Sequence, residues 1–164
     1  MTDYLSSLVV KYKNQGVFVD SEILLLYIVG SKDPRLVRKF GRTANFDEND
    51  FNPVSEFIES FNLKITSPHI LTEVSDLLGE SNDFHTILEV YINTSEEKNL
   101  SSREVAKCDS FLKFGLADSA IVEISQNSHL VFTADNRFYG YLTNSGIDAV
   151  SFDQLKSAYQ FADR

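Results

Sequence analysis

At 164 residues the chain is long enough for one domain that buries roughly 70% of its unfolded surface, and it leaves little room for a second. With 43% hydrophobic and 24% charged residues it needs neither disulfides nor structural zinc to build a core, and its one cysteine, Cys108, excludes an internal disulfide. A net charge of −9 argues against indiscriminate nucleic-acid binding through phosphate contacts, although carboxylates gathered at one site can recruit cations that then meet a phosphate.

The N-terminus, Met1-Thr2-Asp3-Tyr4, has no basic segment followed by an apolar one, and the longest apolar run, Ile23 to Val29, is far short of the about 20 residues a membrane span needs. The expectation is a soluble, cytoplasmic protein with no membrane partner. Gly16 to Val19 reads as a short buried strand ending at Asp20, and a helix opens at Ser21 with Asp20 or Ser21 as its cap. Gly30 to Pro34 is a turn, followed by a short helix from Arg35 to Phe40 and a polar loop from Gly41 to Asn52. Pro53 to Phe61 is helical, with Val54, Phe57, Ile58 and Phe61 on one face. Leu63 to Thr66 is a second strand. Ser67-Pro68 then opens a helix that stops at Gly79.

Helices are predicted over Asp83–Asn93 and, from the capping-box pattern Ser101-Ser102-Arg103-Glu104, over Ser101–Phe114. This last helix carries Cys108 as a small half-buried hydrophobe. Gly115-Leu116-Ala117 is a joint before an apolar helix, Asp118 to Ser125. Strands at Leu130–Thr133 and Ile147–Val150 alternate with helices at Asn136–Asn144 and Asp153–Phe161. Short apolar strands alternating with helices predict an α/β fold: a single domain over 1–164, a three-layer α/β/α sandwich around a central parallel sheet.

In such folds sites form beyond the carboxyl ends of the strands. Asp20 and Asp135 sit just past two of them, and Asp118 opens an apolar helix. Each alone is more simply a helix cap, and Glu73 alone is a solvated surface acid, although Leu71, Val74, Leu77 and Leu78 around it are apolar. No glycine-rich turn follows the first strand, so a dinucleotide site is excluded, and no P-loop is present. A receiver domain would need a lysine ending a late strand, where Thr133 is followed by Ala134 and Asp135, and a DxD phosphatase, a remote alternative, would need Asp where Glu22 stands. His69, His85 and His129 are scattered, outside metal-ligand spacing. No nucleophile-elbow motif supports Ser-His-Asp catalysis.

Taken together, Val17-Phe18-Val19-Asp20-Ser21, Leu71-Thr72-Glu73-Val74, Gly115-Leu116-Ala117-Asp118-Ser119-Ala120-Ile121 and Thr133-Ala134-Asp135-Asn136-Arg137-Phe138 resemble the PIN domain in order, spacing and local context. The resemblance spans Val17 to Phe152. It implies a PIN-like parallel sheet, Mg²⁺ or Mn²⁺ held by Asp20, Glu73, Asp118 and Asp135, and hydrolysis of RNA phosphodiesters. For small stand-alone members it further implies a VapC-type toxin with an antitoxin partner.

Hard carboxylate oxygens suit Mg²⁺ and Mn²⁺. On this reading Asp20 and Asp118 are the main ligands, Asp135 completes the site or orients water, and Glu73 is an adjustable ligand or base. Thr133 and Asn136 are expected to support Asp135 by hydrogen bonds, and Ser21 to support Asp20. Glu22 departs from the pattern by adding an acid beside Asp20. Lys11, Lys13, Lys107 and Arg137 are the candidate basic residues of the substrate face, although solubilising surface charge is the simpler account of each. The alternative is a PIN-like protein-binding or regulatory module that does not cut. Phe84, Ile87, Leu88 and Tyr91 could form a homodimer face, with core packing the favoured account.

Overall fold

Val17, Phe18 and Val19 are fully buried, and a run this short, with a β-branched residue on each side of Phe18, fits a central strand rather than a helix. In the computed structural model, which describes residues 3–162, this run is β1 (Val17–Val19). It is followed by β2 (Lys64–Thr66), β3 (Glu96–Glu97), β4 (Leu130–Thr133) and β5 (Ala149–Ser151). All pairings are parallel and the spatial order is β3-β2-β1-β4-β5. In the central pair Val17, Phe18 and Val19 lie opposite Leu130, Val131 and Phe132. The direction of winding reverses between β1 and β4, the switch point at which an open parallel sheet leaves a crevice beyond its carboxyl edge.

Among the described residues nine α-helices flank the sheet in the expected α/β/α arrangement: α1 (Asp3–Tyr12), α2 (Ser21–Lys32), α3 (Phe51–Glu59), α4 (Pro68–Leu78), α5 (Asn82–Thr94), α6 (Ser102–Val105), α7 (Phe111–Ser125), α8 (Asn136–Asn144) and α9 (Phe152–Ala162). Helix α2 is apolar all round, with Ile23 to Leu26, Ile28 and Val29 buried, as a helix enclosed by others must be. It packs against α3, α4 and α5, while α7 packs against α4, α6 and α8. Phe57 from α3 meets Phe132 of β4 edge-on at 5.0 Å, locking the outer helices to the central strands. Val54, Phe57, Ile58 and Phe61 are buried along one face, as their spacing predicts.

Several boundaries differ from the sequence reading. The segment before β1 is helix α1, whose Leu5, Leu8 and Tyr12 are buried at helical spacing. It is tied down where Lys11 and the Tyr12 hydroxyl both donate to Asp148, at 2.6 and 2.8 Å. The expected helix Arg35–Phe40 is only a 3-10 turn over Pro34–Leu36, capped by Asp33 and followed by a turn in which the Phe40 N–H donates to the Leu36 carbonyl at 2.8 Å. The expected loop from Gly41 holds two more 3-10 turns, and α3 begins at Phe51.

The expected helix Ser101–Phe114 is two pieces. The capping box of Ser101 and Glu104 is present, but α6 ends at Val105 and Cys108 lies in the bend that follows, half-buried rather than helical. Helix α7 breaks at Gly115 (φ 79°, ψ −170°), a conformation that a side chain would strain, so the predicted joint is a kink between two helical segments. Strand β3, only two residues long with both side chains exposed, carries no apolar pattern and was not predicted. Phe84, Leu88 and Tyr91 are buried and Ile87 packs on the core, so this face belongs to the interior of the chain and not to a dimer. No described helix is long and apolar enough to cross a membrane.

Two helical glycines make opposite predictions. A Cβ at Gly30 in α2 would lie 2.2 Å from the Phe51 ring, whereas one at Gly140 in α8 would meet nothing within 4 Å. Gly140→Ala is expected to stabilise by about 0.5–1 kcal/mol through helix propensity. Gly30→Ala is expected to destabilise, since overpacking by about 1–3 kcal/mol outweighs that gain. Urea unfolding of both variants checks the opposite signs.

Candidate functional site

Strands in this sheet all run one way and the connecting helices run back, so the N-terminal halves of α2, α4, α7 and α8 gather at the carboxyl edge. Asp20 follows β1 directly and caps α2, its Oδ1 accepting from the Ser21 N–H at 2.6 Å. Asp135 follows β4 and caps α8, its Oδ1 accepting from the N–H groups of Arg137 and Phe138 at 2.8 and 3.0 Å. Both acids meet the positive end of a helix, which favours their charged forms. Glu73 projects from the middle of α4 and Asp118 from α7, three residues past the Gly115 kink. All four line one cavity of about 310 Å³ at the switch point, together with Ser21, Glu22, Leu25, Arg42 and Leu77.

The capping account holds for Asp20 and Asp135, which cap and line the cavity at once. It fails for Asp118, whose side chain accepts no hydrogen bond among the described residues. Glu73 is exposed, as a solvated acid would be, yet it faces the same space.

The supporting hydrogen bonds differ from those expected. Thr133 supports Asp20, its hydroxyl donating to Asp20 Oδ2 at 2.5 Å. It serves Asp135 only through the backbone, accepting from the Asp135 N–H at 3.0 Å. The Ser21 hydroxyl donates to Glu73 Oε2 at 3.0 Å, so Ser21 holds Asp20 with its backbone and Glu73 with its side chain. Asn136 does not support Asp135: its amide donates to Asp153 at 2.8 Å, on the far side of the helix start.

Of the basic candidates, Lys11 and Lys13 stand before β1, at the amino edge of the sheet and away from the cavity. Arg137 stacks on the Phe114 ring at 4.9 Å. The cation that does line the cavity is Arg42, which the sequence reading passed over inside its polar loop. The histidines take no part: His69 meets Ser102, His85 the Ser75 carbonyl and His129 the Gln15 carbonyl.

Electrostatics mark the cluster as costly. Burial pushes the Asp20 carboxyl up to about 6, against the lowering effect of its bonds from Thr133 and Ser21, with Glu73 and Glu22 adding repulsion. Asp118 is pushed up to about 8, first by burial and then by the charges of Asp20, Glu73 and Asp135. Burial and Asp135 also raise Glu22. Hard oxygen donors from four elements are the chemistry a divalent cation such as Mg²⁺ or Mn²⁺ takes. Among the described residues, however, no three His, Cys, Asp or Glu side chains stand around a common point as metal ligands do. Both Asp20 oxygens, one Glu73 oxygen and one Asp135 oxygen already accept from protein N–H and O–H groups.

No family model, curated protein or solved structure matches the chain. The functional reading therefore stands on these residues and on the resemblance in their pattern.

The two raised carboxyls set a pH dependence. Each binds its proton more tightly in the native state than in the unfolded chain, across the window from 3.8 to about 6 for Asp20 and to about 8 for Asp118. The contribution of these two groups to stability, without divalent ions, therefore falls as pH rises from 4 to 8. Asp118→Asn removes its share and is expected to exceed wild type by about 1–2 kcal/mol at pH 8, with the gain gone at pH 4. Urea unfolding of both proteins in EDTA at the two pH values decides; a gain from Asp118→Asn no larger at pH 8 than at pH 4 contradicts the sign.

Proposed function

We propose that the chain is a metal-dependent endoribonuclease with a PIN-like site. The observation that carries the reading is the convergence of Asp20, Glu73, Asp118 and Asp135 on one cavity at the switch point, with Asp118 left without a donor of its own. A buried carboxylate facing three others costs stability, and a cation is the simplest group that reverses the cost. RNA as substrate, and an antitoxin as protein partner of a toxin, rest on the PIN resemblance.

Bound among these oxygens, Mg²⁺ or Mn²⁺ would lower the pKa of a coordinated water and offset charge on the phosphate. Asp118 and Asp20 would hold it. Asp20 is fixed by Thr133 and Ser21 and offers a rigid anchor, whereas Asp118 has both oxygens uncommitted by the chain. Glu73, exposed and held by a single bond from Ser21, is free to rotate inward as a ligand or to take a proton from water. Asp135 keeps one oxygen on the α8 cap and presents the other. Leu25 and Leu77 supply the apolar part of an otherwise polar cavity wall.

A second reading, a PIN-like module that binds a protein without cutting, is favoured by one observation: the net charge of −9 suits a basic protein partner better than a polyanion. Cleavage of labelled single-stranded RNA by wild type and Asp118→Asn, in Mn²⁺, Mg²⁺ and EDTA, separates the two. The nuclease reading expects metal-dependent cuts, reduced about 100-fold or more in the variant. Absence of both cleavage and calorimetric metal binding would leave the binding module.

A further inference from the structure

The sequence Arg35-Leu36-Val37-Arg38-Lys39-Phe40-Gly41-Arg42 places four cations and no acid within eight residues of a chain whose net charge is −9. The structure winds this stretch tightly. Val37 and Thr43 are fully buried, the Thr43 hydroxyl donates to the Val37 carbonyl at 2.6 Å, and Phe40 packs edge-on against Phe84 at 5.4 Å. The four basic side chains are all exposed on this anchored turn.

They are not equivalent. Arg35 is engaged by Asp33, its Nη2 2.7 Å and its Nε 3.1 Å from Oδ2, which leaves little of its charge for another anion. Arg38, Lys39 and Arg42 make no ion pair among the described residues. Arg38 and Lys39 line a groove of about 390 Å³, and Arg42, in the next 3-10 turn (Gly41–Thr43), lines the carboxylate cavity. Two acids also line the groove. Asp47 is partly engaged, capping the Asn49 N–H at 2.8 Å and lying 3.9 Å from Lys156, and Glu48 faces Arg35.

We infer that Arg38, Lys39 and Arg42 form the track on which the phosphodiester backbone of a single-stranded RNA reaches the carboxylate cavity. The inference rests on the nuclease reading for the cavity and adds the route by which the substrate arrives. A polyanion approaching a site of four carboxylates is repelled unless cations stand at its mouth, and Arg42 is the cation placed there. Lys39 and Arg38 stand three and four residues before Arg42 on the same anchored stretch, exposed and without an acidic partner among the described residues, and would take the phosphates that follow. Because the stretch is held by buried Val37 and Thr43, little backbone freedom remains to be lost on binding.

The test measures anisotropy of a fluorescent 12-nucleotide single-stranded RNA on an Asp118→Asn background, from about 50 to 200 mM salt. Arg38→Gln/Lys39→Gln is compared with Lys11→Gln/Lys13→Gln, two cations at the amino edge, and with Arg42→Gln alone. The first pair is expected to weaken binding about 10-fold and to lower the salt slope by about 1.4, two phosphate contacts at about 0.7 each. Arg42→Gln is expected to lower the slope by about 0.7, and the amino-edge pair to change neither quantity. The track is overturned if the parent does not bind RNA, or if the Arg38/Lys39 pair changes affinity no more than the amino-edge pair does. Cleavage by the chain with Asp118 intact is read separately. RNA held through the three cations but left uncut in Mn²⁺ keeps the track and sinks the nuclease, whereas cutting that ignores all three cations keeps the nuclease and sinks the track.

Discussion

The hydrogen bond from Thr133 to Asp20 ties the ends of the two central strands together at the point where the sheet changes direction. Asp20 is buried, and a buried carboxylate without donors would be neutral or absent. Here one oxygen takes the Thr133 hydroxyl and the other the Ser21 N–H, so the acid serves as a joint between β1, β4 and the start of α2. The same hydroxyl accepts from the Asp135 backbone, which sets where the second acid begins. A single threonine therefore spaces two of the four carboxylates, and the geometry of the cavity follows from the register of β1 against β4.

Around that joint the chain works against its own electrostatics. Helix α2 is apolar on every face and must be enclosed, which forces Asp20 and Ser21 under the surface with it. Helix α7 is kinked at Gly115 and carries Asp118 toward the same space, where burial and three neighbouring charges oppose its ionisation. Two helix N-termini and a serine offset part of the repulsion. The chain tolerates this because the surrounding core is large and continuous, from Leu5 of α1 to Ala158 of α9.

The fold was largely legible in the sequence because its strands are short, buried on both faces and separated by capped helices: Val17–Val19, Ser67-Pro68 and the Ser101–Glu104 box each announce themselves by residue type. What was not legible lacked such a signal. Strand β3 is two glutamates, recognisable only once Ile65 and Thr66 of β2 stand beside them. The break after α6 carries no helix breaker in the sequence; in the structure Val105 is buried there and α6 packs on α7. Helix α1 could have been read from Leu5, Leu8 and Tyr12. At the site, the family resemblance, and not any acid taken alone, singled out the four carboxylates that line one cavity, but hydrogen-bond partners depend on rotamers. Asn136 turned to Asp153, Thr133 to Asp20, and Arg42 arrived from a loop with no periodicity at all.

Strand β3 has one more consequence. An open sheet ends in a row of unpaired peptide groups, and such a border invites a strand from a neighbouring molecule to extend the ladder. This border is two residues long, both of them acidic and outward-facing, with Lys98 bonded to Glu96 beside them. At the opposite border the residues of β5 are buried and α8 and α9 pack against them. An incoming strand would find almost no template at one end of the sheet and a covered one at the other, so copies of this chain meeting in a crowded solution are guarded against runaway polymerisation by backbone pairing.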